Sequence, residues 1–365
     1  MKKAHISTWI LLLAASLMSG CSERSSVPLD KYLTRLGRSL DRPITMNIDR
    51  LPPLPRSRDL QLEQPSQSIG LLDLLTLGGC EISITIGNLN SSLGKLASDS
   101  QRLLLELEFL SLAPACISSL DPATDAELIS TLQAAMSEKH RMLPARIWNA
   151  TLGGPEFRAF WSRPRRLGNY PANTGGQMIT SLSRLAELSS QWLDGDYQTN
   201  SEELERLLGD VRLGDGGALL ASLDLQRSAL AAATPAIQHR LDGVPICIEK
   251  APSPEGQIVD NVVRKFFIGE VQPWSVQIAR RRNELMPPVL ALELSLRENM
   301  PPAYQSWARQ RDHLLKSAAD APREHARHLA ALLESCGLRP GMDATRKGRF
   351  KAGQSPLIAR FSTLH

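Results

Sequence analysis

The sequence predicts a mainly α-helical protein, a multi-helix globular bundle stapled by disulfides. Leucine and alanine are plentiful, whereas aromatic residues make up only 5% of the chain. Apolar residues recur at helical spacing through most of the sequence, but no heptad pattern is sustained, which disfavours a coiled coil. Strand-like patterns occur in two short runs, EISITIG (81–87) and VPICIEK (244–250). We therefore allow for one small two-stranded β element, although the apolar stripe around 81–87 favours a helix there.

The first twenty residues predict a lipoprotein signal peptide. Lys2 and Lys3 are followed by an apolar run at 9–17 and by small residues directly before Cys21. This order is similar to the lipobox of bacterial lipoproteins, and the resemblance implies cleavage before Cys21 and acylation of that cysteine. Ser22, in place of an aspartate, implies the outer membrane. A plain secretory signal with a structural Cys21 is the alternative.

Composition divides the chain into four parts. Prolines at 52, 53, 55 and 65 interrupt helix formation after the anchor. No later run of residues is apolar enough to span a membrane. The C-terminal end carries six Lys or Arg and one acid, in a chain of formal net charge +4. Such a tail can contact anionic lipid head groups, but a solvated tail is the favoured interpretation. The parts are a signal peptide (1–20), the lipidated cysteine with a short helix and a Pro-rich tether (21–69), a helical periplasmic domain (70–338) and a basic, loosely ordered tail (339–365).

Apolar spacing and prolines delimit the predicted helices. Asp30 is expected to cap a short amphipathic helix at 30–40, and a stripe of apolar residues runs from 71 to 93. Prolines at 273, 288, 302 and 322 are each assigned to a helix start, where a missing N–H is tolerated. The later predicted helices cover 179–193, 198–208, 218–241, 255–267, 273–285, 288–298, 302–319 and 322–336.

Four cysteines remain after Cys21, an even number that suits two disulfides in an oxidising compartment. Of the three possible connectivities we favour Cys80–Cys116 with Cys247–Cys336, because each pair brackets a self-contained helical region. Each bond is expected to stabilise the fold by roughly 4 kcal/mol. The chain has no C-x-x-C, so neither a thioredoxin-like redox pair nor a zinc ribbon is indicated.

The sequence SLGK matches the S-x-x-K pattern of serine acyl-transfer enzymes, with Ser92 as a candidate nucleophile and Lys95 as its base. Gly94 lies between them, however, and glycine is typical of the left-handed residue just past a helix end. Ser98 with Gln101 three residues later has the pattern of a capping box. We therefore favour a helix, a turn and a second helix over a catalytic pair.

The turn agrees with the favoured cysteine pairing. A hairpin brings Cys80 and Cys116 to the same end, whereas one continuous helix would separate them by about 54 Å, too far for a disulfide. Other chemical motifs are weak. His325 and His328 are spaced for a shared metal but lack a third ligand, so we expect a solvated helix face and predict no metal or cofactor. No phosphate loop is present, and no nucleic-acid partner is predicted.

The run from residue 68 to Cys116 resembles a family of Gram-negative envelope lipoproteins known as domain of unknown function 3080. The resemblance implies an outer-membrane lipoprotein without an assigned activity and supplies no catalytic residues. The residues that carry it are Cys80, Asn90, Ser91, Leu93, Gly94, Lys95, Ser100, Arg102, Leu103, Glu106, Leu110 and Cys116.

These observations predict a lipid-anchored protein on the periplasmic face of the outer membrane that binds or scaffolds a partner and is not an enzyme. The hairpin tip, rich in small polar side chains, is the predicted binding region, with Asn90, Ser91, Lys95 and Arg102 as candidate contacts. The expected partner is an envelope protein or an anionic lipid. The alternatives are a serine hydrolase or acyltransferase that uses Ser92 and Lys95, and a lipid or small-molecule carrier with an apolar cavity between helices.

Overall fold

The computed structural model describes residues 27–64, 79–172 and 174–338. These residues form a multi-helix fold without a sheet, as predicted. Among them the only β pairing is an isolated bridge between Ile248 and Ala251, inside a turn where Glu249 and Lys250 have positive φ. The two-stranded element is therefore absent from the described residues, because the first strand-like run is helical and the second is a turn. Cys21 and the basic tail lie outside the described residues.

The first half of the chain contributes a docked N-terminal helix and a set of helices around a hairpin. The N-terminal helix spans Val27–Ser39, so Asp30 lies in its first turn instead of capping it. The elements are α1 (Val27–Ser39), α2 (Ser57–Leu60), α3 (Ile82–Asn90), α4 (Ser92–Lys95), α5 (Asp99–Ser119), α6 (Ala126–Ala150) and α7 (Pro155–Phe160).

The second half contributes the longest helices. They are α8 (Gln177–Leu193), α9 (Ser201–Arg212), α10 (Gly216–Leu241), α11 (Pro254–Val262), a π-helical segment (Val263–Val271), α12 (Gln272–Ser295), a 3-10 turn (Arg297–Asn299) and α13 (Pro302–Glu334).

Two prolines that were assigned to helix starts lie inside helices instead. Pro288 falls within α12 and Pro322 within α13, so each of these helices joins two predicted ones, and Pro144 lies inside α6. An interior proline costs about 3 kcal/mol. Apolar side chains on both sides of each of these prolines are buried, which offsets that cost. Pro302 does lie in the first turn of its helix, as predicted. Pro273 was also assigned to a helix start, but it follows the π-helical segment directly, so the chain is helical on both sides of it.

Three apolar cores hold the helices together. The first core is built from α5 to α10 with α12 and the first half of α13, and it contains Trp148, Trp192 and Trp307. The second core joins α1, the second half of α10, α11, the π-helical segment and the end of α13. The third core lies between α3, α5 and α6. Because α10 and α13 contribute to the first and second cores, they connect these two parts of the fold.

The segment after α1 was predicted to be an extended tether, and its described part is an extended strap docked on the helical body. The backbone N–H of Leu51 donates to the fully buried carboxylate of Asp224 at 3.1 Å. The Trp307 indole N–H donates to the carbonyl of Pro52 at 3.1 Å, and the Trp148 indole N–H donates to that of Leu60 at 2.8 Å. Hydrogen bonds to buried groups thus hold the strap along its length.

The structure also corrects the prediction of a solvated face around His325. This side chain is buried in the second core, where a hydrogen bond joins it to the Tyr32 hydroxyl of α1 and the Phe267 ring packs against it. Burial, with a smaller contribution from the neighbouring His328, lowers the pKa of His325 to about 3. His325 is therefore a neutral core residue that helps to fasten α1.

The burial of His325 predicts that the protein becomes less stable in acid. The histidine pKa is about 6.5 in the unfolded chain and about 3 in the folded one, so between these values the unfolded state binds more protons. The free energy of unfolding should fall by up to about 1.4 kcal/mol per pH unit as the pH drops from 6.5 towards 3. Urea unfolding at several pH values measures this slope. His325→Gln should flatten it and the exposed control His313→Gln should not; an equal slope in both variants would contradict the assignment.

Candidate functional site

The predicted hairpin is present. Cys80 and Cys116 form a disulfide with their Cα atoms 5.5 Å apart, and α3 packs against α5. The capping box is also confirmed: Ser98 Oγ accepts the Gln101 backbone N–H, and the Gln101 side chain accepts the Ser98 N–H. The disulfide at one end and the cap at the other therefore fix the position of the tip between them.

A glycine is needed at position 94 for a different reason from the one predicted. Gly94 does not have positive φ and does not end a helix; it lies inside the one-turn helix α4, after α3 has ended at Asn90. A Cβ atom at this position would come within 2.0 Å of the carbonyl oxygen of Asn88. Ser91 caps α4 by accepting the Gly94 N–H at 2.9 Å. Glycine is thus required because α4 folds back closely onto α3.

Ser92 and Lys95 lie on the same turn of α4, and both side chains are exposed. No hydrogen bond joins the Ser92 hydroxyl to the Lys95 amine in the described structure. The arrangement therefore does not place a lysine amine in position to take a proton from the serine hydroxyl.

An open groove lies beside the hairpin tip. The tip and α5 form one of its walls. The groove has a volume of about 610 Å³. Its apolar lining includes Leu104 and Leu105 of α5 and Leu93 of α4, and the Leu93 side chain is 83% exposed. Leu96, next to the groove, is 84% exposed. Neighbouring exposed leucines are unusual on a soluble surface unless that surface meets another molecule.

The opposite wall is the segment between α8 and α9, which sequence reasoning did not assign to a site. Tyr197, Gln198, Thr199 and Ser201 line the groove. The Trp192 indole N–H donates to the carbonyl of Gln198 at 3.3 Å. Asn200 caps α9 by accepting two backbone N–H groups, and this N-cap pattern is the signal that could have located the wall.

Charge in the groove comes from one side chain. Among the described residues that line it, Glu108 is the only one charged at neutral pH, and it is exposed, with no hydrogen bond or ion pair to any described residue. A second acid, Glu205 of α9, accepts a hydrogen bond from Ser100 at 2.7 Å and links the two walls. The groove therefore combines an apolar leucine surface and small polar side chains with one free negative charge.

Of the four predicted contact residues, only Ser91 lines the groove. Asn90 and Lys95 lie on the tip outside its lining, and Arg102 lies in a separate charged cluster with Glu106 of α5. The part of the chain that the structure describes contains no cluster of three or more side chains suited to hold a metal ion.

The fold and site define an all-helical, disulfide-linked protein with an apolar groove at a hairpin tip. No helix in the described ranges has the length and apolar character needed to cross a membrane. Residues 29–340 match the family described as "Protein of unknown function (DUF3080)", and the chain belongs to this family. No curated protein and no solved structure matches the chain. The family match begins within α1, so it covers the strap as well as the helical body.

Proposed function

We propose that the protein is a non-enzymatic lipoprotein, acylated at Cys21, that holds a partner on the periplasmic face of the outer membrane. The N-terminal sequence pattern supports the anchor. The two disulfides support an oxidising compartment such as the periplasm. The groove at the hairpin tip is the single observation that supports a binding role.

The lining of the groove specifies the chemistry of the partner. Leu93, Leu104 and Leu105 offer an apolar surface, and Glu108 offers an unpaired carboxylate beside it. An apolar peptide segment with a lysine or arginine side chain complements both features, because the apolar side chains cover the leucines while the cation pairs with Glu108. The occupant we propose is such a segment of an envelope protein.

Site-specific photo-crosslinking in living cells tests the groove. A photoreactive amino acid at Leu93 is expected to capture one envelope protein, and the same group at Ile258, which is 54% exposed on α11, is not. Glu108→Lys should abolish the Leu93 crosslink, because it places a cation against the cation of the partner. Glu324→Lys, an equal charge change at an exposed position of α13, should preserve it.

The captured segment must also bind in isolation. A synthetic peptide of its sequence should bind the purified protein, and replacing its basic residue by glutamine should weaken binding at least tenfold. Equal crosslinking from Leu93 and Ile258, or a Leu93 crosslink unaffected by Glu108→Lys, would refute the groove as the binding site.

The anchor is tested separately. Cys21→Ala should abolish incorporation of labelled palmitate and remove the protein from the outer-membrane fraction. The unchanged Cys80–Cys116 and Cys247–Cys336 bonds, read by mass spectrometry, control for folding. Palmitate incorporation that survives Cys21→Ala would contradict acylation at this residue.

A further inference from the structure

A second pocket lies between the strap and the helical body. One of its walls is the strap at residues 50–54, and the others come from the end of α7 with the turn after it and from the starts of α10 and α13. Its volume is about 460 Å³, within the range of about 300–1,000 Å³ that is usual for small-molecule sites. None of its lining residues lines the groove at the hairpin tip, so the two sites are separate.

Aromatic and aliphatic side chains form the apolar part of this lining. The rings of Trp161 and Trp307 pack against each other with their centroids 5.1 Å apart. Trp307 is also tied to the strap, since its indole N–H donates to the carbonyl of Pro52 at 3.1 Å. Leu54 of the strap and Leu220 of α10 complete the apolar surface. These walls are already in place in the unliganded fold, so a ligand does not have to order them.

Every charged side chain in the lining of this pocket is an arginine: Arg50, Arg158 and Arg163. Arg163 is paired with the buried carboxylate of Asp224 at 2.6 Å. Arg158 donates to the backbone carbonyl of Pro55 at 2.7 Å and forms no ion pair with a described residue. Arg50 is exposed and makes neither kind of contact with a described residue. Two guanidinium charges at the pocket therefore have no carboxylate partner in the part of the chain that the structure describes.

We propose that this pocket binds an acyl chain with an anionic head group. The head group accepts hydrogen bonds from Arg50 and Arg158, and the chain lies against the two tryptophan rings. The oxygens of a carboxylate or a phosphate suit the fork of a guanidinium. A cation or an uncharged chain would leave both arginine charges unpaired, and a small inorganic anion would leave the apolar surface uncovered.

The volume of the pocket agrees with a ligand of this kind. At roughly 30 Å³ for each water-sized atom, the pocket admits about 15 such atoms, and a ten-carbon carboxylate has about 12 non-hydrogen atoms. The inference does not depend on the groove or on the lipid anchor, because it uses neither the hairpin tip nor Cys21.

Calorimetric titration of the full-length purified protein tests the ligand class, with a protein-free titration subtracted. Sodium decanoate or decyl phosphate is expected to bind saturably at one site, and the tighter of the two identifies the head group. Acetate, which lacks the chain, and decyltrimethylammonium, which has the opposite charge, should each bind at least about tenfold more weakly. Saturation by neither decyl anion, or equal affinity for decyltrimethylammonium or acetate, would overturn the proposal.

Variants and photolabelling test the location. Arg50→Glu reverses a charge that makes no contact in the fold, and it should weaken binding of the decyl anion at least about tenfold. Arg280→Glu, at a side chain that is 82% exposed, should leave the affinity unchanged. Ser162→Trp, at an exposed position of the lining, fills the pocket without changing its charge and should also weaken binding.

Thermal unfolding of each variant establishes that it is folded. A decanoic acid with a diazirine on its chain should label peptides that contain residues 50–54 or 161–163. Labelling confined to other peptides, or unchanged affinity in both Arg50→Glu and Ser162→Trp, would show that the anion does not bind in this pocket.

Discussion

Replacing Glu293 by glutamine is expected to lower the free energy of unfolding by about 3–5 kcal/mol, the range for removing one partner of a buried ion pair. The reason is Arg311, whose side chain is fully buried in the first core. The Glu293 carboxylate accepts hydrogen bonds from both terminal nitrogens of this guanidinium, one of them at 2.9 Å, and from the Tyr304 hydroxyl at 2.6 Å. Glutamine preserves the shape but leaves the arginine charge without its main counterion.

Apart from Glu293, the surroundings of Arg311 offer little negative charge to balance its guanidinium. The Arg311 guanidinium lies 5.6 Å from the Trp161 ring and 5.3 Å from the Trp307 ring. The Tyr304 pKa is raised well above its usual value by burial and by the Glu293 charge, so its hydroxyl stays protonated and donates to the carboxylate. Asp312 also accepts from Arg311, at 3.0 Å, but its side chain is half exposed and offers less compensation.

Urea unfolding of the purified protein measures this effect. The surface pair Arg280–Glu284 provides the control, because Arg280→Gln should change the free energy of unfolding by less than about 0.5 kcal/mol. If Glu293→Gln costs no more than this control, the buried ion pair does not have the structural role assigned to it.

Removing the Cys247–Cys336 disulfide, by replacing both cysteines with serine, should cost about 4.6 kcal/mol. The bond closes a loop of 89 residues, and on the chain-entropy model the stabilisation grows with loop length. The same model assigns the Cys80–Cys116 bond, with its separation of 36 residues, about 1 kcal/mol less. Both sulfurs of Cys247–Cys336 are buried in the second core, so unpaired serines there lose packing as well.

Comparison of the two double-serine variants by urea unfolding, without reductant, checks this order. The Cys247/Cys336 variant is expected to be the less stable one. A loss below about 1 kcal/mol, or a larger loss in the Cys80/Cys116 variant, would show that loop closure does not set the contribution of these bonds.

Local signals predicted part of this fold well. The capping box at Ser98 and Gln101 and the pairing of Cys80 with Cys116 are set by residues close to one another in the hairpin, and the sequence displays both. The helix start at Pro302 was predictable for the same reason, since a proline in the first turn loses no hydrogen bond.

Features that depend on distant partners were not predictable from one sequence. The strap has no apolar periodicity, and its position is set by acceptors and donors such as Asp224 and Trp307, which lie far along the chain. His325 resembled a surface residue because its partner, Tyr32, is 293 residues away. The groove was half predicted: the hairpin wall follows from local motifs, whereas the wall at 197–201 is brought there by the packing of α9 against α5.

The docking of α1 would limit how far from a membrane the protein could act if it is anchored at Cys21. Only residues 22–26 separate Cys21 from α1, and at about 3.5 Å per residue this chain reaches roughly 20 Å. Since α1 and the described part of the strap are both fixed to the body, neither extends that reach. If Cys21 is acylated, the helical body therefore stays close to the membrane that holds the anchor. A partner on the far side of the periplasm would then have to extend across the periplasm in order to be bound.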